Sequence, residues 1–469
     1  MAFERIALYR LRSACCARLS FHATQATPYS ITVAITLSSS DALVRAGIGC
    51  DRISRCWGDL HGCENDLMRT LITTSPPIGH IHPVVPLALS LLSAGHDVLW
   101  ATGADACPIV ESAGLRAVQA GFPARDRRDE YFRRFPEARD LAPEQIPAHM
   151  FPRLFGLISA PAMLGDLLRI VEDWRPDIIV HEASELAAPI VAALLDVANV
   201  CQGFGALVAP DRMAAASDAV APLWREVGLE PRDWAGAYEH MYLDIYPPSL
   251  RPPYGEYVTR RESMRPIPFS TKFSTRPDDG VVPHADRRPL VYLTFGTVFN
   301  NPAGPFRNAV DGVADLDVRV VVTVGPNGDP AAFGSLPNNV SVHRYVPQTE
   351  LLPQCSLVVS HAGSGTFLAA LDHGLPQLCL PQAADQFGNA QQCATAGAGL
   401  RLLPNEVTPE SVREAATRLL HDEHFRTAAQ RIQRELASMP LPADVVPLLE
   451  EIAATGPNPS TSEHGGALN

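Results

Sequence analysis

The sequence predicts an α/β protein made of two doubly wound, Rossmann-like domains that face each other across a cleft. Three observations lead there. At 469 residues the chain exceeds one ordinary hydrophobic core, so two domains are expected. From Met68 onward, short apolar runs alternate with helical ones, the pattern of strand–helix units around a parallel sheet. That series occurs twice at similar length, separated by a polar linker around Arg276 to Arg288.

The first 67 residues do not share this pattern. They lack sustained periodicity, and their apolar piece at 31–37 is short and starts too far in for a secretory signal. Cys50, Cys56, His61 and Cys63 lack the close pair that a zinc site uses. Met68 stands immediately before the first strand, so residues 1–67 are expected to be an untranslated extension or a disordered arm.

The first series then opens with a strand at 70–74 and a helix at 84–93, with Gly95 as its stop. A strand follows at 96–101, and later a short buried strand at 177–180 and a helix at 187–195. Residues 206–274 are rich in Pro and aromatics, among them Trp224, Trp234, Tyr238, Tyr242, Tyr246 and Tyr254. They read as irregular helices and loops whose aromatics either line a pocket or pack a core. The second series has strands at 290–295, 318–324 and 357–360, and the tail from Gly456 has a disordered composition.

Charge and composition exclude several classes. Net charge is −13 with no clustered basic stripe, which argues against nucleic acid. No run of about eighteen apolar residues is present, which argues against a membrane span. Lys272 is the only lysine, a codon-bias signature rather than a functional one. Cys107, Cys201, Cys355, Cys379 and Cys393 are scattered in apolar settings, as reduced thiols of a cytoplasmic protein would be.

The most informative stretch is His361-Ala362-Gly363-Ser364-Gly365-Thr366, with Asp385-Gln386 further on. A strand that ends in this turn and continues as a helix offers free backbone N–H groups and the positive end of a helix dipole. That is a seat for a diphosphate. An acid beside an amide suits vicinal hydroxyls, and the two together indicate a nucleotide sugar.

In the other half, Gly79-His80-Ile81-His82-Pro83 falls at the carboxyl end of the first strand, where open parallel sheets bind ligands. His80 there is either a general base or a histidine capping its own loop. The strand at 177–180 runs into His181-Glu182. Its end meets the same crevice, so Glu182 either orients His80 or begins a surface loop. Two patterns are set aside. Asp315-Leu316-Asp317 enters a strand at its amino end, far from a crevice, and no G-x-G-x-x-G follows a strand; Gly203-Phe204-Gly205 lacks the third glycine.

Over residues 68 to 450 the chain resembles the family 1 glycosyltransferases of the GT-B fold, and among them bacterial enzymes that glycosylate macrolides and other natural products. The motifs carrying the resemblance are Tyr345-Val346-Pro347-Gln348, the His361 to Thr366 turn, and Pro381-Gln382-Ala383-Ala384-Asp385-Gln386-Phe387-Gly388-Asn389, in order and spacing. The resemblance implies an acceptor-binding domain at 68–280, a donor-binding domain at 281–455 and a tail at 456–469. It places Tyr345 on the nucleotide base and Gln348 near the ribose, and counts Val346 among the donor-binding residues. Gly296, Thr297, His361, Gly363, Ser364, Gly365 and Thr366 would hold the diphosphate, and Asp385 and Gln386 the sugar hydroxyls. His80 would be the catalytic base and Glu182 its partner. The family often has Trp where Tyr345 stands and Asp where Glu182 stands.

The implied reaction is a single inverting displacement onto a hydroxyl of a small hydrophobic acceptor, from a TDP- or UDP-sugar. The helix end and His361 would stand in for a cation, so no metal and no cofactor beyond the nucleotide sugar is expected. The rivals are a GT-B-fold epimerase acting on the nucleotide sugar and a non-catalytic partner of a transferase.

Overall fold

The computed structural model describes residues 19–22, 34–37, 67–269, 287–296, 304–325 and 328–456. Leu19–His22 (β1) and Ala34–Leu37 (β2) pair as antiparallel strands, Leu19 opposite Leu37. Cys50, Cys56, His61 and Cys63, most of the linker, Thr297 and the tail beyond Gly456 lie outside the described residues.

From Leu67 onward the chain folds around two sheets. The first holds Arg69–Thr73 (β3), Asp97–Thr102 (β4), Arg116–Gln119 (β5), Ile178–Glu182 (β6), Ala198–Gln202 (β7), Met241–Asp244 (β8) and Arg261–Ser263 (β9). Their order is β5-β4-β3-β6-β7-β8-β9, all parallel. The second holds Leu290–Thr294 (β10), Arg319–Thr323 (β11), Val340–His343 (β12), Leu357–Ser360 (β13), Gln377–Cys379 (β14) and Gly399–Arg401 (β15). It is also parallel throughout, in the order β12-β11-β10-β13-β14-β15. In each sheet the order reverses beside its first strand, and a crevice forms there at the carboxyl edge. β6 and β10 are buried at every position, as strands covered on both faces must be.

The helices used below are Val85–Ala94 (α1), Ala124–Arg134 (α2), Ile146–Asp173 (α3), Pro210–Glu226 (α4), Ser364–Asp372 (α5), Gln386–Thr395 (α6) and Pro442–Thr455 (α7). α1 ends where expected: Gly95 takes a left-handed φ of 98°, which glycine adopts without strain. α3 departs from expectation, because its 28 residues are long and apolar enough to cross a bilayer. Arg153 and Asp166 interrupt it, and its apolar face packs into the core through Phe151, Leu154, Ile158, Leu164 and Leu167. Phe151–Ser159 within α3 is wound as a π-helix, a rare geometry that recurs at functional sites.

Residues 206–269 correct the sequence reading. They hold the 17-residue α4 and two parallel strands, β8 and β9. Trp224, Tyr238, Tyr242 and Tyr246 are all fully or nearly fully buried, so these aromatics pack the core. The last helix also makes a long return: Val445 and Leu449 of α7 join Leu87 and Leu91 of α1 in one apolar cluster.

Candidate functional site

On the first sheet, two neighbouring strand ends build a carboxylate–imidazole pair. His80 lies on a single helical turn just beyond β3, and Glu182 is the last residue of β6, which pairs directly with β3. His80 Nδ1 is 3.2 Å from Glu182 Oε1. Glu182 is fully buried and held by three further donors. Ser75 N–H bonds Oε1 at 3.1 Å, Ser184 N–H bonds Oε2 at 2.6 Å and Ser184 O–H bonds Oε1 at 2.7 Å. Burial opposes its ionisation, but the facing imidazole and the Ser184 donors outweigh it and hold the carboxyl at about 2. Glu185, in the same loop, goes the other way: burial raises it to about 7 despite donors from Thr73 and Ala187. Two acids three residues apart are thus pushed in opposite directions by their surroundings. The His80 ring packs on Phe204 at 4.4 Å and Phe155 at 5.8 Å.

With Nδ1 turned to the carboxylate, Nε2 of His80 is the nitrogen left for a ligand. His82 is different in kind. It packs edge-on against Phe269, its Nε2 meets no partner, and burial lowers it to about 4.

On the second sheet, β13 ends at Ser360 and α5 begins at Ser364. Phe367 N–H makes the first intrahelical bond, to Gly363 O at 3.0 Å. The N–H groups of Ser364, Gly365 and Thr366 therefore stand ahead of the helical ladder at its positive end. Ala362 reaches the turn with φ 62°, and Ala384, just before Asp385, with φ 56°. A left-handed alanine costs about 1 kcal/mol or more and is characteristic of functional turns.

The His361 ring is wedged between two glycines. A Cβ on Gly296 would lie 2.8 Å from His361 Cε1, and one on Gly363 would lie 2.6 Å from its Nε2. Burial lowers His361 to about 4, so it is neutral at neutral pH. Gln348 reaches Thr366 Oγ1 at 3.0 Å, bringing two sequence-predicted residues together. Tyr345 is 41% exposed. The Val346 side chain is core, in one cluster with Leu290 and Leu351, so its backbone is the part that remains for a ligand.

Asp385 accepts from Ser364 O–H at 2.5 Å and Asn389 Nδ2 at 3.0 Å. The carbonyl of Gln386 is used by the N–H groups of Gln382 and Ala383, which leaves its NH₂ for a ligand. The two halves meet here. A Cβ on Gly205, just after β7, would overlap Ser364 Oγ and lie 3.3 Å from Asp385 Oδ2. Tyr246 O–H bonds Asn389 Oδ1 at 2.9 Å. Asp315 and Asp317 pair with Arg413 and Arg288, away from this site.

Models of the erythromycin biosynthesis protein CIII-like family match residues 89–278 (its N-terminal domain) and 307–452 (its C-terminal domain). L-demethylnoviosyl transferase of Streptomyces niveus is 33% identical over 383 residues, 81% of this chain and 96% of that one. The chain belongs to this family of glycosyltransferases. Elloramycin glycosyltransferase ElmGT of Streptomyces olivaceus is 33% identical over 81% of this chain and 96% of its own. Among solved structures, the spinosyn rhamnosyltransferase SpnG with spinosyn aglycone superposes with a TM-score of 0.70 at 28% identity, covering 82% of this chain and all of that one. VinC in complex with dTDP superposes with a TM-score of 0.68 at 27% identity, over 83% and 100%. The fold is GT-B, and the protein is a nucleotide-sugar-dependent glycosyltransferase of natural products.

Sequence reasoning missed Ser75 and Ser184, which clamp the Glu182 carboxylate. It also missed the Gly203 to Gly205 loop, which touches His80 through Phe204 and meets Ser364 and Asp385 through Gly205. The glycines were visible, but only against a dinucleotide pattern that they do not fit.

Proposed function

We propose that this transferase moves a sugar, with inversion, from a TDP-sugar to a hydroxyl of a small hydrophobic aglycone. His80 Nε2 takes the hydroxyl proton as the acceptor oxygen attacks the anomeric carbon and the bond to the diphosphate breaks. Glu182 steadies the imidazolium, and the N–H groups of Ser364, Gly365 and Thr366 take the charge gathering on the leaving diphosphate. Tyr345 stacks on the base, Gln348 attends the ribose, and Asp385 and Gln386 hold sugar hydroxyls. Gly296 and Thr297 complete the phosphate seat, and no step calls on a metal.

The observation that carries this reading is the His80–Glu182 pair at 3.2 Å, on the edge that meets the Ser364–Asp385 turn. TDP is favoured over UDP because VinC, SsfS6 and SpnG were each solved with thymidine diphosphate. A cytoplasmic location is supported by the free Cys107, Cys201, Cys355, Cys379 and Cys393. The test is thermal stabilisation of the full chain by TDP and by UDP at matched concentration. A ligand at a hundred times its Kd adds about 2.7 kcal/mol. A larger shift with TDP is expected, a larger shift with UDP reassigns the donor, and no shift with either removes the donor site.

A further inference from the structure

Arg127 on α2 is 6% exposed, and its Nε and Nη1 are buried with no hydrogen-bond partner. Proteins seldom leave a guanidinium in that state, because a buried charge without a partner is costly. Its neighbours are shared with His80 and Glu182. Arg127 Cζ lies 5.2 Å over the Phe155 ring, which packs in turn on the His80 and Phe151 rings. With Ser75, Ser184 and Glu185 it lines a cavity of about 10 Å³, the space of one oxygen atom or water. Ser75 and Ser184 are the residues whose N–H and O–H groups hold Glu182.

We propose that Arg127 is a positioning residue, a buried cation that shares the Glu182 carboxylate with His80 and thereby keeps the imidazole available as a free base. The proposal rests on the dyad assigned above. A buried carboxylate with one imidazole as its sole counter-ion favours the imidazolium before an acceptor arrives, and an imidazolium takes no proton. A second cation nearby lessens that bias while the Glu182–His80 hydrogen bond still sets the ring's orientation.

The remaining charged and titratable groups around the pair do not supply this balance. Burial lowers Arg127 to about 10, opposed by the fields of Glu182 and Asp105. His181 is lowered by burial and hydrogen-bonded to the Glu182 and Glu185 carbonyls. Burial raises Glu185 to about 7 and the Cys201 thiol well up. α3 brings only Ser159 and Met163 to the cavity wall, and its Asp166 is taken by Gly121 N–H and Arg169. On α2 itself, Glu130 is taken by Arg133 and Arg134.

The test follows the His80 ring by NMR in the full chain with ¹³C-labelled histidine, its signal identified by loss in His80→Gln. In Arg127→Met the midpoint of the His80 titration should rise by about one pH unit, a tenfold change in proton affinity. In Arg127→Lys, which keeps the charge, it should stay where it is. An unmoved midpoint in Arg127→Met, or equal movement in both variants, overturns the proposal and leaves Arg127 as packing for Phe155. If Arg127→Met does not fold, Arg127→Gln serves as the neutral member of the pair. If neither neutral variant folds while Arg127→Lys does, the charge serves the fold and the proposal fails. Stabilisation by TDP is read separately on the same samples, so failure of the donor site leaves the histidine result intact.

Discussion

Glu182 Oε1 lies 3.2 Å from His80 Nδ1 and receives its other bonds from Ser75 and Ser184, so the longer acid spans the gap with its carboxylate fully engaged. The extra methylene relative to aspartate is absorbed by these bonds. Removing the imidazole by His80→Ala should lower kcat by about 10²- to 10⁴-fold. TDP affinity, measured by calorimetry, should stay within about twofold, because the donor seat is built from the other sheet. Glu182→Asp withdraws the carboxylate and should cost about tenfold in kcat, whereas full activity would show that the carboxylate is not needed at that distance.

Gly296 and Gly363 are predicted to be intolerant of alanine for the same reason. Each added Cβ would fall within 3.0 Å of the His361 ring, and Gly296 also has φ 71°. Both substitutions should weaken TDP binding about tenfold or more, read by titration calorimetry, with His80 unaffected. Gly165→Ala on α3 is the control, since a Cβ there meets nothing within 4 Å and the residue lies outside this turn.

Stability should rise with pH between about 4 and 6.5, and two histidines supply the reason. His82 and His361 are each lowered to about 4 by burial, while an unfolded histidine titrates near 6.5. In that window the unfolded chain binds more protons, so folding is favoured as pH rises and lost as it falls. His82→Leu should flatten this dependence in urea melts at pH 5 and pH 7 by about 1–3 kcal/mol, and an unchanged slope would remove His82 from the account.

Tyr246→Phe deletes the buried hydroxyl that bonds Asn389 across the two halves. The expected loss is about 1–2 kcal/mol, because Asn389 Oδ1 is left without that donor. A urea midpoint equal to that of the native chain would show that water replaces the bond.

Much of this was legible because it is local. A strand, a glycine-bearing turn and a helix start announce themselves in neighbouring residues, and β13 runs over Leu357–Ser360 as expected. The closeness of His80 and Glu182 was legible for a topological reason: β3 and β6 are neighbours in a parallel sheet, so their carboxyl ends coincide. What escaped was tertiary. β8 and β9 are four and three residues long, too short for a period, and Pro247 and Pro248 break the run between them. Val346 sits in a motif, yet packing against Leu290 and Leu351 decides where its side chain goes. Ser184 and Arg127 become meaningful only once Glu182 is buried beside them.

The return of α7 sets where this protein can be cut. Leu449 and Val445 complete a cluster begun by Leu87 and Leu91, and Glu450 meets His96 at 3.0 Å, so α7, the last helix among the described residues, is structurally a part of the first half. A fragment ending at the linker would bare that apolar face, and a fragment starting there would carry an orphan helix. Chimeras that exchange donor halves between relatives therefore need two crossovers, one in the linker and one between Met439 and Pro442. The native chain should melt in a single calorimetric transition, with neither half surviving the other.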